Sequence, residues 1–206
     1  MTEFFLNKKK VKAKDDETIW TVAKREGIVL PHLCFADKPG YRADGNCRAC
    51  MVSIEGERVL AASCIRKPTE GMKVITNDER STKSRKMVLE LLVTDQPDRE
   101  TSHDPDSHFW NVASSVDVAK SRFDKREKTI VPCEDASHVA MSVNLDACIH
   151  CNLCVRACRE VQVNDVIGMG NRGHHSKVIF DFNDPMGDSS CVSCGECVQA
   201  CPTGAL

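Results

Sequence analysis

The stretch CIHCNLCVRAC at residues 148–158 returns 43 positions later as CVSCGECVQAC at 191–201, and reading this repeat decides the fold. Each copy spaces its thiols Cys-x2-Cys-x2-Cys-x3-Cys, and the second is followed by Pro202. The spacing has a geometric meaning. A short loop lets three sulfurs converge on one point, and the helical turn that follows carries the fourth sulfur away towards a neighbour. The chain has 206 residues and 13 cysteines. In a reducing compartment that many thiols are kept for metal ligation and not for a disulfide framework.

The repeated spacing is that of bacterial ferredoxins with two [4Fe–4S] clusters. Crossed ligation then assigns Cys148, Cys151, Cys154 and Cys201 to the first cluster. Cys158, Cys191, Cys194 and Cys197 are assigned to the second. Zinc sites would instead show paired Cys-x2-Cys knuckles. Ile149, Val155 and Val192 beside the ligands are expected to shield the clusters.

A second set precedes the repeat. Cys34, Cys47, Cys50 and Cys64 are spaced C-x12-C-x2-C-x13-C, sharing a central C-x2-C and a distant last ligand with plant-type ferredoxins. Four such thiolates suit one [2Fe–2S] cluster, with Gly40, Gly45 and the run RADGN letting backbone N–H groups approach the sulfurs. Around them, residues 3–14 read as two strands about a polar turn, and 18–26 as a helix ending at Gly27. MVSIEGERVLAASC reads as a hairpin and GMKVIT as a strand. Asp78 then caps a helix whose apolar stripe is Met87, Val88, Leu91 and Leu92. The fold class is α+β: a β-grasp [2Fe–2S] domain at 1–77, a helix and polar connector at 78–138, and a two-[4Fe–4S] domain at 139–206.

The connector is polar, with at most one short helix near 107–119. It leaves Cys133 without a quartet, and His103 and His108 have no other cysteine near enough to build a fourth cluster. Gly168 to Gly173 matches G-x-G-x-x-G but precedes a strand-like HHSKVIFDF, so no dinucleotide site is expected there. Residues 1–90 carry 18 basic against 13 acidic side chains and residues 91–206 carry 10 against 17, too even a balance for a nucleic-acid binder. No run reaches the roughly 18 apolar residues of a membrane span, and the start shows no signal-peptide order, which points to the cytoplasm. Arg42, Arg48, Arg66, Lys67, Arg156 and Arg159 flank the ligands and are expected to offset cluster charge.

Beyond these motifs the chain resembles a family over nearly its whole length. Residues 31–64, PHLCFADKPGYRADGNCRACMVSIEGERVLAASC, look like the [2Fe–2S] domain of the large subunit of NAD-linked molybdenum or tungsten formate dehydrogenases. Residues 144–182 and 191–206 resemble the double-cluster domain that follows it. Subunits of respiratory complex I, of NAD-reducing hydrogenases and of iron-only hydrogenases are more distantly similar. Two departures matter: the connector lacks the His-x3-Cys-x2-Cys-x5-Cys cluster site common in these relatives, and the sequence ends at Leu206 without a molybdopterin domain. The chain therefore reads as a separate subunit or a truncation. The resemblance implies an electron relay, not catalytic by itself, with a molybdenum or tungsten subunit and a flavin/NAD-binding subunit as partners. The alternatives are the diaphorase side of an NAD-linked hydrogenase or, outside redox chemistry, a zinc-binding interaction module.

Overall fold

The computed structural model describes residues 1–125 and 134–206, the side chain of His174 excepted, so Cys133 lies outside the described residues. Strand β1 (Thr2–Leu6) and strand β2 (Lys9–Ala13) pair antiparallel, with Phe4, Leu6, Val11 and Ala13 inward and Lys9, Lys10 and Lys12 outward. Asn7 and Lys8 turn the hairpin with φ of 49° and 71°, matching the right-handed twist of the strands. Helix α1 (Ile19–Arg25) starts where the Thr18 side chain accepts from the Thr21 amide. Gly27 follows its end at φ 78°, and the helix lays Ile19, Trp20, Val22 and Ala23 on the sheet.

β3 (Met51–Ile54), β4 (Ala61–Ala62) and β5 (Lys73–Ile75) complete a sheet of order β2-β1-β5-β3-β4. Only β1 and β5 run parallel. A mixed sheet wrapped on one helix is the β-grasp arrangement expected for this half.

Helix α2 (Glu79–Thr94) departs from its expected stripe. It buries Ser81, Arg85, Leu89 and Val93, spaced four apart, while Leu91 is half exposed. The polar members are buried because they satisfy backbone: the Arg85 guanidinium donates to the Met51 carbonyl at 2.9 Å, and the Ser81 hydroxyl reaches Thr76 and Asp78. The Asp78 carboxylate accepts from the Ser53 and Ser81 hydroxyls instead of capping the first turn.

The connector is also more structured than its composition suggests. Helix α3 (His108–Ser115), capped by Ser107, buries Phe109, Trp110, Val112 and Ala113 against Leu33, Ala49, Leu89 and Val93. Few apolar residues are needed when they fall within two turns on one side. The Phe109 amide donates to the Pro202 carbonyl at 2.8 Å and the Gln96 amide group to the Ala147 carbonyl at 3.0 Å, so the connector ties the two ends of the chain together.

The last segment is sparse. Helix α4 (Leu153–Arg156) widens into a π-turn at Ala157–Val161, and helix α5 is Glu196–Ala200. Between them β6 (Ile167–Gly170) and β7 (Lys177–Phe180) form an antiparallel hairpin. The G-x-G-x-x-G match starts inside β6 and feeds this hairpin, so it lacks the parallel βαβ setting a dinucleotide needs. Among the described residues no helix is long and apolar enough to cross a membrane.

Candidate metal centres

The two cysteine repeats follow the same backbone path. His150 and Asn152 in the first, and Ser193 and Gly195 at the equivalent places in the second, are left-handed, with φ of 52°, 61°, 57° and 73°. Each pair turns amides inward: the His150 N–H donates to Cys148 Sγ at 3.5 Å and the Ser193 N–H to Cys191 Sγ at 3.4 Å. Such nests favour anionic groups.

Beside each nest is a hollow. The first is walled by Cys148, Cys151, Cys154 and Cys201 with Ile149, Val178 and Leu206. The second is walled by Cys158, Cys191, Cys194 and Cys197 with Val166, Ile167 and Val192. Each hollow thus receives the last cysteine of the opposite repeat, because Cys158 and Cys201 stand beyond helices α4 and α5. The Val166 N–H donates to Cys158 Sγ at 3.3 Å.

Burial pushes the Cys148 thiol up to about 11, Cys151 to about 12 and Cys197 to about 11, and raises Cys154 as well. These sulfurs keep their protons unless a cation displaces them. A lone zinc ion with bonds of about 2.3 Å would draw four sulfurs into a tight knot. Among the described residues no three His, Cys, Asp or Glu side chains form such a group. Four thiols spread around a hollow, with amides aimed at the sulfurs, fit a multi-iron cluster better.

The N-terminal quartet converges differently. Cys34 follows α1, Cys47 and Cys50 precede β3, and Cys64 follows β4. The Cys47 N–H donates to Cys34 Sγ at 3.5 Å, and the Ser63 hydroxyl to the Cys50 carbonyl at 2.7 Å. Hydrogen bonds from the Cys47 and Cys64 thiols, and from the amides of Cys47 and Asn46, hold Cys34 well below the ordinary thiol range. The Cys64 thiol holds Cys50 below the ordinary thiol range, and Cys47 is pushed up by its bond to Cys34. A sulfur that collects several donors is primed as a thiolate ligand. Gly45 sits at φ 66°, a backbone conformation that strains any residue with a side chain.

The first loop docks directly on the cysteine repeats. Cys34, Tyr41, Cys151, Leu153, Ala157 and Ala200 share one apolar cluster. The Tyr41 hydroxyl donates to Glu196 Oε1 at 2.9 Å, and Lys38 Nζ to the Gln199 carbonyl at 3.3 Å. Tyr41, Lys38 and Glu196 carry no motif, so sequence reading passed over them. Most of the flanking cations are spent on carboxylates: Arg42 pairs with Glu160 and Asp44, Arg66 with Glu57, Lys67 with Asp16, and Arg159 with Asp165. That revises their expected role as cluster counter-charges. Arg156 alone of these six turns into the seam, beside Cys34 and Cys151.

Comparison with known proteins agrees with this layout. Residues 1–79 match the 2Fe-2S iron-sulfur cluster binding domain, and residues 147–205 the 4Fe-4S dicluster domain. The chain is 31% identical over its full length to the NADP-reducing hydrogenase subunit HndD of Solidesulfovibrio fructosivorans, covering 36% of that protein. It is 27% identical over its full length to a subunit of the NADH-quinone oxidoreductase of Rhizobium meliloti, covering 24% of it. A putative formate dehydrogenase of Staphylococcus haemolyticus is 28% identical over 89% of the chain, which covers 18% of that protein. The chain therefore spans about a third or less of these curated relatives. A chain in the crystal structure of an NAD+-reducing [NiFe]-hydrogenase superposes with a TM-score of 0.84 at 26% identity, over 99% of this chain and 86% of that one. These matches give the chain the layout of a 2Fe-2S ferredoxin domain followed by a 4Fe-4S dicluster domain, that of an iron–sulfur electron-transfer unit.

Proposed function

We propose that the chain holds three clusters and relays electrons between a molybdenum or tungsten formate-oxidising subunit and a flavin subunit that reduces NAD, in the cytoplasm. Cys34, Cys47, Cys50 and Cys64 would hold a [2Fe–2S] cluster. Cys148, Cys151, Cys154 and Cys201 would hold one [4Fe–4S] cluster, and Cys158, Cys191, Cys194 and Cys197 the other. Clusters of this kind supply one-electron transfer when bound. The protein's part is to position thiolates, exclude water and donate N–H groups to sulfur. The supporting observation is the pair of hollows, each walled by four thiols drawn from both repeats.

Iron content tests the reading. Anaerobically purified chain should carry about 10 Fe, from one two-iron and two four-iron clusters. About 14 would mean a fourth cluster, and about six would remove one cubane. The chain alone should neither oxidise formate nor reduce NAD.

A second reading places it on the diaphorase side of an NAD(P)-linked hydrogenase. The full-length match to a hydrogenase subunit and the superposition on a hydrogenase chain favour it. Hydrogen-dependent NAD(P) reduction by the native complex would select this reading, and formate-dependent reduction the first.

A further inference from the structure

Arg156 is 3% exposed, in the seam between the N-terminal cysteine loop and the first repeat. Its fork is fully engaged. Nε donates to the Asn152 carbonyl at 3.2 Å, and Nη1 to the Arg42 carbonyl at 2.7 Å with Asp44 Oδ2 at 3.2 Å. The third nitrogen, Nη2, divides its two protons between the Cys34 carbonyl at 2.8 Å and the Cys151 carbonyl at 3.1 Å. These two cysteines belong to different quartets, so one nitrogen atom joins the backbones of two neighbouring sites.

We propose that Arg156 is a positioning residue that couples the [2Fe–2S] site to the first [4Fe–4S] site by clamping the Cys34 and Cys151 carbonyls to a single guanidinium nitrogen. The inference rests on the cluster assignment above. The clamp fixes the separation of the two loops and supplies a short hydrogen-bonded connection between ligand backbones. Its contribution is mainly geometric, because the surrounding charges balance: Asp44 pairs with both Arg156 and Arg42, and Arg42 also pairs with Glu160. A planar fork with five fixed donors does this, and an ammonium on a flexible stem does not.

Arg156→Lys, made in the full chain, separates geometry from charge. In the fully reduced protein the paramagnetic centres at the two coupled sites should broaden or split each other's resonance. Arg156→Lys should keep the full iron content yet lose that interaction, with the docked arrangement weakened about tenfold, the scale of one charged hydrogen bond. The signal from the site of Cys158, Cys191, Cys194 and Cys197 should stay as in the unmodified chain. Asp44→Asn, which spares both carbonyl contacts, should keep the interaction.

Wild-type coupling in an iron-replete Arg156→Lys protein overturns the proposal, and so does equal loss in Asp44→Asn. Should the lysine variant not load iron, hydrogen exchange on the metal-free full chain decides. It must quicken at the amides of both cysteine loops and stay unchanged in β1 and β2, and unchanged loop exchange overturns the clamp. Iron far from about 10 in the unmodified chain defeats the cluster reading itself and leaves the exchange test in force.

Discussion

The two ends of this protein position their cysteines by opposite means. In the N-terminal half a sheet and a helix build a core around Phe4, Leu6, Ile19, Val22, Val52 and Val74, and Cys50 and Cys64 are only two of its sixteen buried members. In the C-terminal half the core is small, and Cys154, Cys158 and Cys197 are three of its nine buried members. Helices of four and five residues cannot hold themselves together. The difference teaches where bound metal would enter the energetics: as a minor share of the first core and a major share of the second.

Stripping the metal anaerobically breaks or upholds that contrast with the largest effect. Hydrogen exchange should rise towards unprotected values through residues 143–206 while β1, β2 and α1 stay protected. Equal loss of protection in both halves would erase the distinction. The next largest change is Cys158→Ser, which should cost about four iron atoms from the hollow walled by Cys191, Cys194 and Cys197 and leave the adjacent site nearly intact. A structure grouping Cys158 with Cys148, Cys151 and Cys154 would contradict it.

Phe4→Ala sharpens the comparison from the other side. Its side chain is fully buried in the sheet core, and truncation should cost about 3–5 kcal/mol in urea unfolding. The iron of the second half should be retained in native buffer. Tyr41→Phe removes the hydroxyl that joins the halves at Glu196, a loss of about 1 kcal/mol measurable by the same titration. Smallest of all, Cys133→Ala should leave iron content unchanged, since no quartet awaits it.

Spacing along the chain made the thiols readable, because three sulfurs within seven residues are local geometry. The opening hairpin and α1 were readable for the same reason: a polar turn inside residues 3–14 and a run of helix formers ending at Gly27 are short-range signals. What stayed hidden depends on tertiary docking. Met87, Val88, Leu91 and Leu92 look like a helix core by hydropathy, yet Arg85 is buried because Met51, far away in sequence, needs a donor. A short helix near 107–119 was readable, but not that Leu33 and Ala49 cover its Phe109 and Trp110. Arg156 read as one of six flanking cations, and only the meeting of Cys34 with Cys151 sets it apart.

The exchange of last cysteines between the two hollows has a consequence for inheritance. A tandem duplication normally leaves two copies that can drift, separate or be lost one at a time. Here each copy closes the other's hollow, so deleting either would open both. The β6–β7 hairpin lies between the copies and lends no cysteine to either hollow. The two copies are therefore bound to descend together.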